Sequence, residues 1–255
     1  MSHHPLRKNR RWPNLSWLLL LLGLTAAPLV AAPGVRSCFL IGNSLTWDTV
    51  PERLDGDVQW HVDCGVPLPF IHQNPGKPCV KNSTLWPQAL KDKQYDLLSI
   101  QPHYGDFAEN VAVISKWIAL QPKAVIVIHT GWAKHEERVA EHALTDPPKQ
   151  LKHSPAHLRA LLTELRQRHP TREIRQTHAQ ELLEQIAVDI AAKRAPFTSL
   201  QELYRDEIHL KYETGRYLMH NAMRRALGQP PSAKGFEKLD AGLKRYLDEV
   251  LATVK

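Results

Sequence analysis

The stretch Cys38-Phe39-Leu40-Ile41-Gly42-Asn43-Ser44-Leu45 decides how the chain is read. Four apolar residues run without a break into a small polar turn. A continuous apolar run of this length fits a strand buried on both faces, and such strands belong to parallel sheets covered by helices. Open sheets of that class place their ligand sites beyond the C-terminal ends of the strands, which puts Ser44 at the mouth of a site. A serine there becomes a nucleophile only with a base in hydrogen-bond reach, and Asp206-Glu207-Ile208-His209 lies far downstream. Its three-residue spacing lets the Asp206 carboxylate meet the His209 ring. The plainer alternatives are a helix N-cap at Asn43-Ser44 and a surface turn at Asp206 to His209, in a chain with 14 histidines.

Working outward, short apolar runs alternate with longer amphipathic ones from Arg36 onward, the pattern of an α/β sheet with helices on both faces. Strands are predicted at Arg36 to Ile41, Asp57 to Val62, Tyr95 to Ile100, Lys123 to His129 and Thr171 to Gln176. Helices are predicted at Trp47 to Leu54, Thr84 to Lys91, Phe107 to Leu120, Pro155 to Arg168, His178 to Ala192, Tyr212 to Leu227 and Lys234 to Val254. Two segments lack periodicity: Gly65 to Ser83, rich in Pro and Gly, and Thr130 to Ser154, which contains Asp146-Pro147-Pro148. Both follow strands, so both are expected to wall the pocket that Ser44 opens into.

The 255 residues suit one domain preceded by a leader. Arg7, Lys8, Arg10 and Arg11 precede the apolar run Leu15 to Leu24 and the small-residue zone Ala26 to Ala32. That order predicts a signal peptide over residues 1–32 and an exported domain over 33–255. The alternative is an uncleaved anchor, since Leu15 to Ala32 is near the minimum span of a bilayer, and only then is a membrane partner expected. Of 33 Lys and Arg against 26 Asp and Glu, the leader holds four basic residues and no acidic ones. The remainder is close to neutral, so nucleic-acid binding gains no support, and Lys149 to His153 and Arg166 to His169 read as solvated faces. In an exported chain three cysteines invite one disulfide. Cys38 lies in the buried first strand, leaving Cys64 with Cys79; the alternative is three free thiols.

Gly-Asn-Ser-Leu after a first strand and Asp-x-x-His near the C-terminus resemble the SGNH (GDSL-like) hydrolase family. The resemblance implies a flavodoxin-like three-layer α/β/α sandwich with a mostly parallel five-stranded sheet. It implies a serine esterase with Ser44 as nucleophile, His209 as general base and Asp206 as its orienting carboxylate. It also implies an oxyanion hole built from the backbone N–H groups of Ser44 and Gly65. The family's Gly-x-Asn after the third strand is absent, and the chain reads Gln101-Pro102-His103 instead. Gln101 carries the same amide group one methylene further out and is the expected substitute donor, with His103 competing.

No cofactor is expected. His129, His135, His142, His153 and His157 crowd one region, but their spacing forms no short metal-ligand motif, so no metal site is expected either. Asn82-Ser83-Thr84 is a glycosylation sequon in a host that modifies exported proteins. The favoured substrate is a short-chain acyl ester on a carbohydrate. Rival readings are a catalytically weak carbohydrate-binding protein on the same scaffold and a membrane-tethered interaction protein.

Overall fold

The computed structural model describes Met1, residues 36–146 and residues 149–254. Met1 apart, the leader expected over residues 1–32 lies outside the described residues. Five strands form one sheet: β1 Ser37–Gly42, β2 Asp57–Val62, β3 Leu97–Ile100, β4 Val125–Ile128 and β5 Ile174–Gln176. Their order is β2-β1-β3-β4-β5 and every neighbouring pair is parallel. This is the flavodoxin-like order, whose connections reverse direction between β1 and β3 and open a crevice at their C-terminal ends.

Alternation along each strand sends side chains to two helical layers. Phe39 and Ile41 of β1, Leu98 and Ile100 of β3, and Ile126 and Ile128 of β4 face one of them. That layer holds α2 Leu68–Gln73, α3 Trp86–Asp92, α4 Phe107–Leu120 and α6 Pro155–Arg168. Cys38, Leu40, Leu97 and Val127 face the opposite way, onto Met223 and Ala226 of α8 Gly215–Ala226. Beyond them α7 Ala179–Ala191 and α9 Ala241–Ala252 close a further core around Leu182, Ile186, Tyr217 and Leu247. The architecture is a three-layer α/β/α sandwich. No helix among the described residues is long and apolar enough to cross a membrane.

Several elements differ from the sequence expectation. The helix expected over Trp47 to Leu54 is replaced by α1, Ser44–Trp47, and a single 3-10 turn, Pro51–Arg53. Pro51 disfavours helical backbone at the residue before it, and Val50 sits instead at φ 53 in the left-handed region. Each segment without periodicity contains a short helix: α2 in one, α5 Arg138–His142 in the other. Neither is long enough to display a 3.6-residue period. The last helix starts at Ala241 rather than Lys234, because Asp240 caps it by accepting from the Gly242 and Leu243 N–H groups at 2.8 and 3.0 Å.

Cys64 and Cys79 are joined by a disulfide and Cys38 is a buried free thiol. The bond returns the chain along β2, where the Cys79 N–H donates to the Val62 carbonyl (2.9 Å) and the Thr84 N–H to that of Trp60 (2.8 Å). An edge strand that would otherwise present unpaired backbone is thereby covered. Alkylation of the native, unreduced protein should label no cysteine, because burial also pushes the Cys38 thiol well above its ordinary pKa. Unfolding without reductant should expose one thiol, Cys38, and labelling of all three would contradict the pairing. Reduction should remove about 3 kcal/mol for a loop of this length, seen as a Tm lower by roughly 6 to 12 °C.

Candidate active site

The turn that carries Ser44 is shaped by its first two residues. Gly42 ends β1 so close to the next elements that a Cβ there would lie 2.1 Å from Thr46 Oγ1 and 2.8 Å from Gln101 Oε1. Only glycine lets the turn fold back against β3. Asn43 is the N-cap of α1, its Oδ1 accepting from the Leu45 N–H at 2.9 Å. The capping role thus falls to Asn43, and Ser44 becomes the first helical residue. Its N–H, one of the orphan donors of a helix start, has no acceptor among the described residues.

His209 and Asp206 arrive on a tight loop. An isolated antiparallel bridge joins Tyr204 to Leu210, with the Arg205 N–H donating to the His209 carbonyl at 2.9 Å and the Lys211 N–H to that of Leu203 at 2.7 Å. Inside this loop Asp206 Oδ1 accepts from the Ile208 and His209 N–H groups at 3.0 and 2.7 Å. The His209 ring then lies between two partners, Nδ1 2.9 Å from Asp206 Oδ2 and Nε2 2.8 Å from Ser44 Oγ. Partial desolvation works to raise the Asp206 pKa, but the two backbone N–H bonds and the imidazole outweigh it and hold the carboxyl down to about 2. Asp206 is therefore an anion throughout the range in which a histidine titrates.

Asp48, which the sequence reading did not single out, connects these two units. Its carboxylate is fully buried, yet it accepts from Arg205 Nη1 (3.1 Å), Arg216 Nε (2.8 Å) and the Leu210 N–H (2.8 Å). Asp48 follows α1 directly, and Leu210 follows His209, so one carboxylate ties the Ser44 turn to the His209 loop. A second brace comes from the segment after β4. Trp132 Nε1 donates to the Ile208 carbonyl at 2.7 Å and the His135 N–H to that of Glu207 at 3.0 Å. Nothing local in the sequence marks these contacts, since the partners lie more than 70 residues apart.

The remaining expected residues border the same crevice. Gly65 sits in the turn after β2 at φ 72, a conformation that favours glycine, and its N–H has no acceptor among the described residues. The register that pairs Gly42 with Val62, and the Asp63 N–H bond to the Gly42 carbonyl (2.9 Å), bring that turn beside Asn43. Gln101 is buried, and its oxygen is committed: Oε1 accepts from the Asn43 N–H at 2.9 Å and from Thr46 Oγ1 at 3.2 Å. Its Nε2 donates to the Pro102 carbonyl at 3.2 Å, which leaves one N–H of the amide. The side chain is thus first a brace of the turn that carries Ser44.

His103 Nδ1 lies 3.0 Å from His153 Nε2, and both rings are buried. Burial lowers the His103 pKa to about 4, and burial together with the His103 ring holds His153 well below the usual histidine range, so both are neutral at pH 7. One of the two neutral rings donates to the other across this contact.

The other histidines of the crowded region disperse. His129 contacts Thr177 Oγ1 and the Leu45 carbonyl, His135 packs on Tyr204, His142 pairs with Glu184, and His157 Nδ1 accepts from the Lys152 N–H. Among the described residues no three His, Cys, Asp or Glu side chains converge as a metal site would need.

No family model matches the sequence, and no curated protein does. Among solved structures, the chain is similar to a Bacillus subtilis protein at 16% identity and a TM-score of 0.48, covering 76% of this chain and 55% of that one. The chain thus spans about half the length of that protein. It is similar to a proposed GDSL-like lipase from Parabacteroides merdae at 12% identity and a TM-score of 0.46, over 76% of this chain and 96% of that one. A carbohydrate esterase of family 3 from Talaromyces cellulolyticus is similar at 9% identity and a TM-score of 0.43, over 80% of this chain and all of that one.

Proposed function

We propose that the protein is a serine ester hydrolase working through an acyl-serine intermediate. The observation that carries this reading is the continuous line from Ser44 Oγ through His209 to Asp206, with hydrogen bonds of 2.8 and 2.9 Å. Ser44 Oγ attacks the ester carbonyl while His209 Nε2 takes its proton; His209 then returns that proton to the leaving alkoxide. Water repeats the sequence on the acyl-serine and releases the acid. Asp206 keeps the proton on Nδ1 and stabilises the imidazolium formed at each step. The uncommitted N–H groups of Ser44 and Gly65 serve the tetrahedral oxyanion, and the remaining Gln101 N–H is the third donor.

For the substrate class we take a short-chain acyl group on a carbohydrate. Arg205, held on Asp48 beside the Asp206–His209 loop, keeps polar N–H groups close to Ser44, and these suit a polyhydroxylated alcohol. The exported, signal-peptide-bearing form inferred from the leader fits an extracellular polymer as source. Acetyl esters should be turned over at least about tenfold faster than octanoyl esters of the same alcohol; the reverse order would point to lipid.

Turnover of a small activated acetyl ester tests the chemistry. Ser44→Ala and His209→Ala should each lose several orders of magnitude in kcat, because members of such a unit act together. A variant that keeps more than about a tenth of the wild-type rate would remove that residue from the mechanism. With Asp206 ionised from about pH 2 upward, a single imidazole governs the acid side. Log(kcat/KM) should climb with pH on the acid side, because the base must be free of its proton to act. A profile flat from pH 5 to 8 contradicts a histidine base.

Two further variants separate positioning from donation. Gln101→Glu keeps an oxygen for the Asn43 N–H but replaces the amide NH₂. A donor role predicts a loss of about 10² to 10³ in kcat with little change in KM, and a loss within threefold would leave Gln101 as a brace alone. Asp48→Asn should lower kcat roughly 10- to 100-fold by loosening the tie between nucleophile and base. It should also reduce stability, since breaking a buried ion pair costs about 3 to 5 kcal/mol. Reduced stability with unchanged kcat, measured well below Tm, would limit Asp48 to folding.

A further inference from the structure

Away from the catalytic crevice, three arginines from three elements meet at the opposite edge of the sheet. A cavity of about 320 Å³ is lined by Arg166 of α6, Arg175 and Gln176 of β5, His178 at the start of α7, and Arg225 and Ala226 at the end of α8. It shares no residue with the Ser44 site. β5 is three strand steps from β1 in the sheet order, which puts the two about 14 Å apart across the strands.

Each guanidinium is held by one edge on a backbone carbonyl and keeps other N–H groups in hand. Arg166 Nη2 donates to the Ile174 carbonyl at 3.2 Å. Arg175 Nη1 donates to the Ala226 carbonyl at 3.1 Å, and its Nε pairs with Glu173 at 2.7 Å. Arg225 Nη1 donates to the Leu251 carbonyl and, at 2.9 Å, to that of Val254, at the end of α9. Arg225 Nη2 is buried with no partner among the described residues, an arrangement that a folded chain otherwise avoids.

Among the described residues the charges around the cavity do not balance. Glu173 pairs with Arg175, and His178 is 3.5 Å from Glu181. Arg166 and Arg225 have no carboxylate partner among the described residues, and both line the one small cavity. Gathering like charges and burying part of one is unfavourable in itself, as the burial-lowered pKa of Arg225 reflects. A doubly charged ligand would relieve both costs. Guanidinium forks held in fixed orientation match the oxygens of tetrahedral oxyanions, and the volume is at the lower end for organic ligands.

We propose that this cavity binds the phosphate or sulfate group of a small organic dianion, as a site separate from the esterase centre. The inference is independent of the hydrolase reading, and binding can be measured without turnover. The full chain and its Ser44→Ala variant are titrated with inorganic phosphate, inorganic sulfate, acetate and chloride at matched ionic strength, following Tm and heat of binding. Saturable stabilisation by phosphate or sulfate beyond chloride is expected in both proteins, and the tighter of the two identifies the group. Arg166→Gln, at an exposed helix position, should weaken that binding by about tenfold or more while leaving the anion-free Tm and ester turnover unchanged. Arg175→Gln should weaken it likewise. Absence of saturation, acetate binding as tight as phosphate, or unchanged affinity in both variants would overturn the proposal.

Discussion

The buried carboxylate of Asp48 is the constraint on which the rest of the site depends. A carboxylate without solvent is tolerable only when its oxygens are fully occupied, and here two arginines and a backbone N–H occupy them. All three donors come from the segment around His209, whereas Asp48 itself belongs to the turn that carries Ser44. Satisfying this one charge therefore fixes two pieces of chain, more than 150 residues apart, at hydrogen-bond distance. The hydrogen-bonded line of Ser44, His209 and Asp206 lies beside that junction, with Asp206 half-exposed and free of the same desolvation cost.

The sheet supplies the other half of the arrangement. Because β1 and β3 are adjacent and parallel, their C-terminal turns emerge side by side, and Gln101 reaches from one to hold Asn43 in the other. Gly42 permits that closeness. The turn after β2 arrives on the far side of β1, held back along its edge by the Cys64–Cys79 bond, and brings Gly65 to the same place. The segment after β4 adds Trp132 and Gly131, the first against the His209 loop and the second against the His153 ring. Each loop thus has a rigid strand behind it and a neighbour in front, the condition for holding reacting groups in a narrow geometry.

What could be read from the sequence followed from local signals. The five strands were legible because buried parallel strands are continuous apolar runs, and α4 and α6 because 14 residues display a helical period with a clear start at Asp106 and Pro155. Ser44, Asp206 and His209 stood out because a strand-end serine and a three-residue Asp-His spacing are both short-range patterns. α2 and α5 were hidden by their brevity, and the left-handed Val50 by the weakness of any single residue as a helix terminator. Asp48, His153 and the arginine cavity were not legible at all. Their meaning comes from partners on other elements, and a side chain such as Arg166, solvated in sequence terms, changes character when Arg175 and Arg225 are folded beside it.

The central claim is that Ser44 is an activated nucleophile, and covalent labelling tests it without knowledge of the substrate. The full chain is treated with a serine-directed phosphonate at pH 8 and at pH 5, digested, and mapped by mass spectrometry. The account predicts a single adduct, on Ser44, formed faster at the higher pH and absent in His209→Ala. Labelling elsewhere with Ser44 untouched, or labelling of Ser44 at the same rate with and without His209, would contradict it.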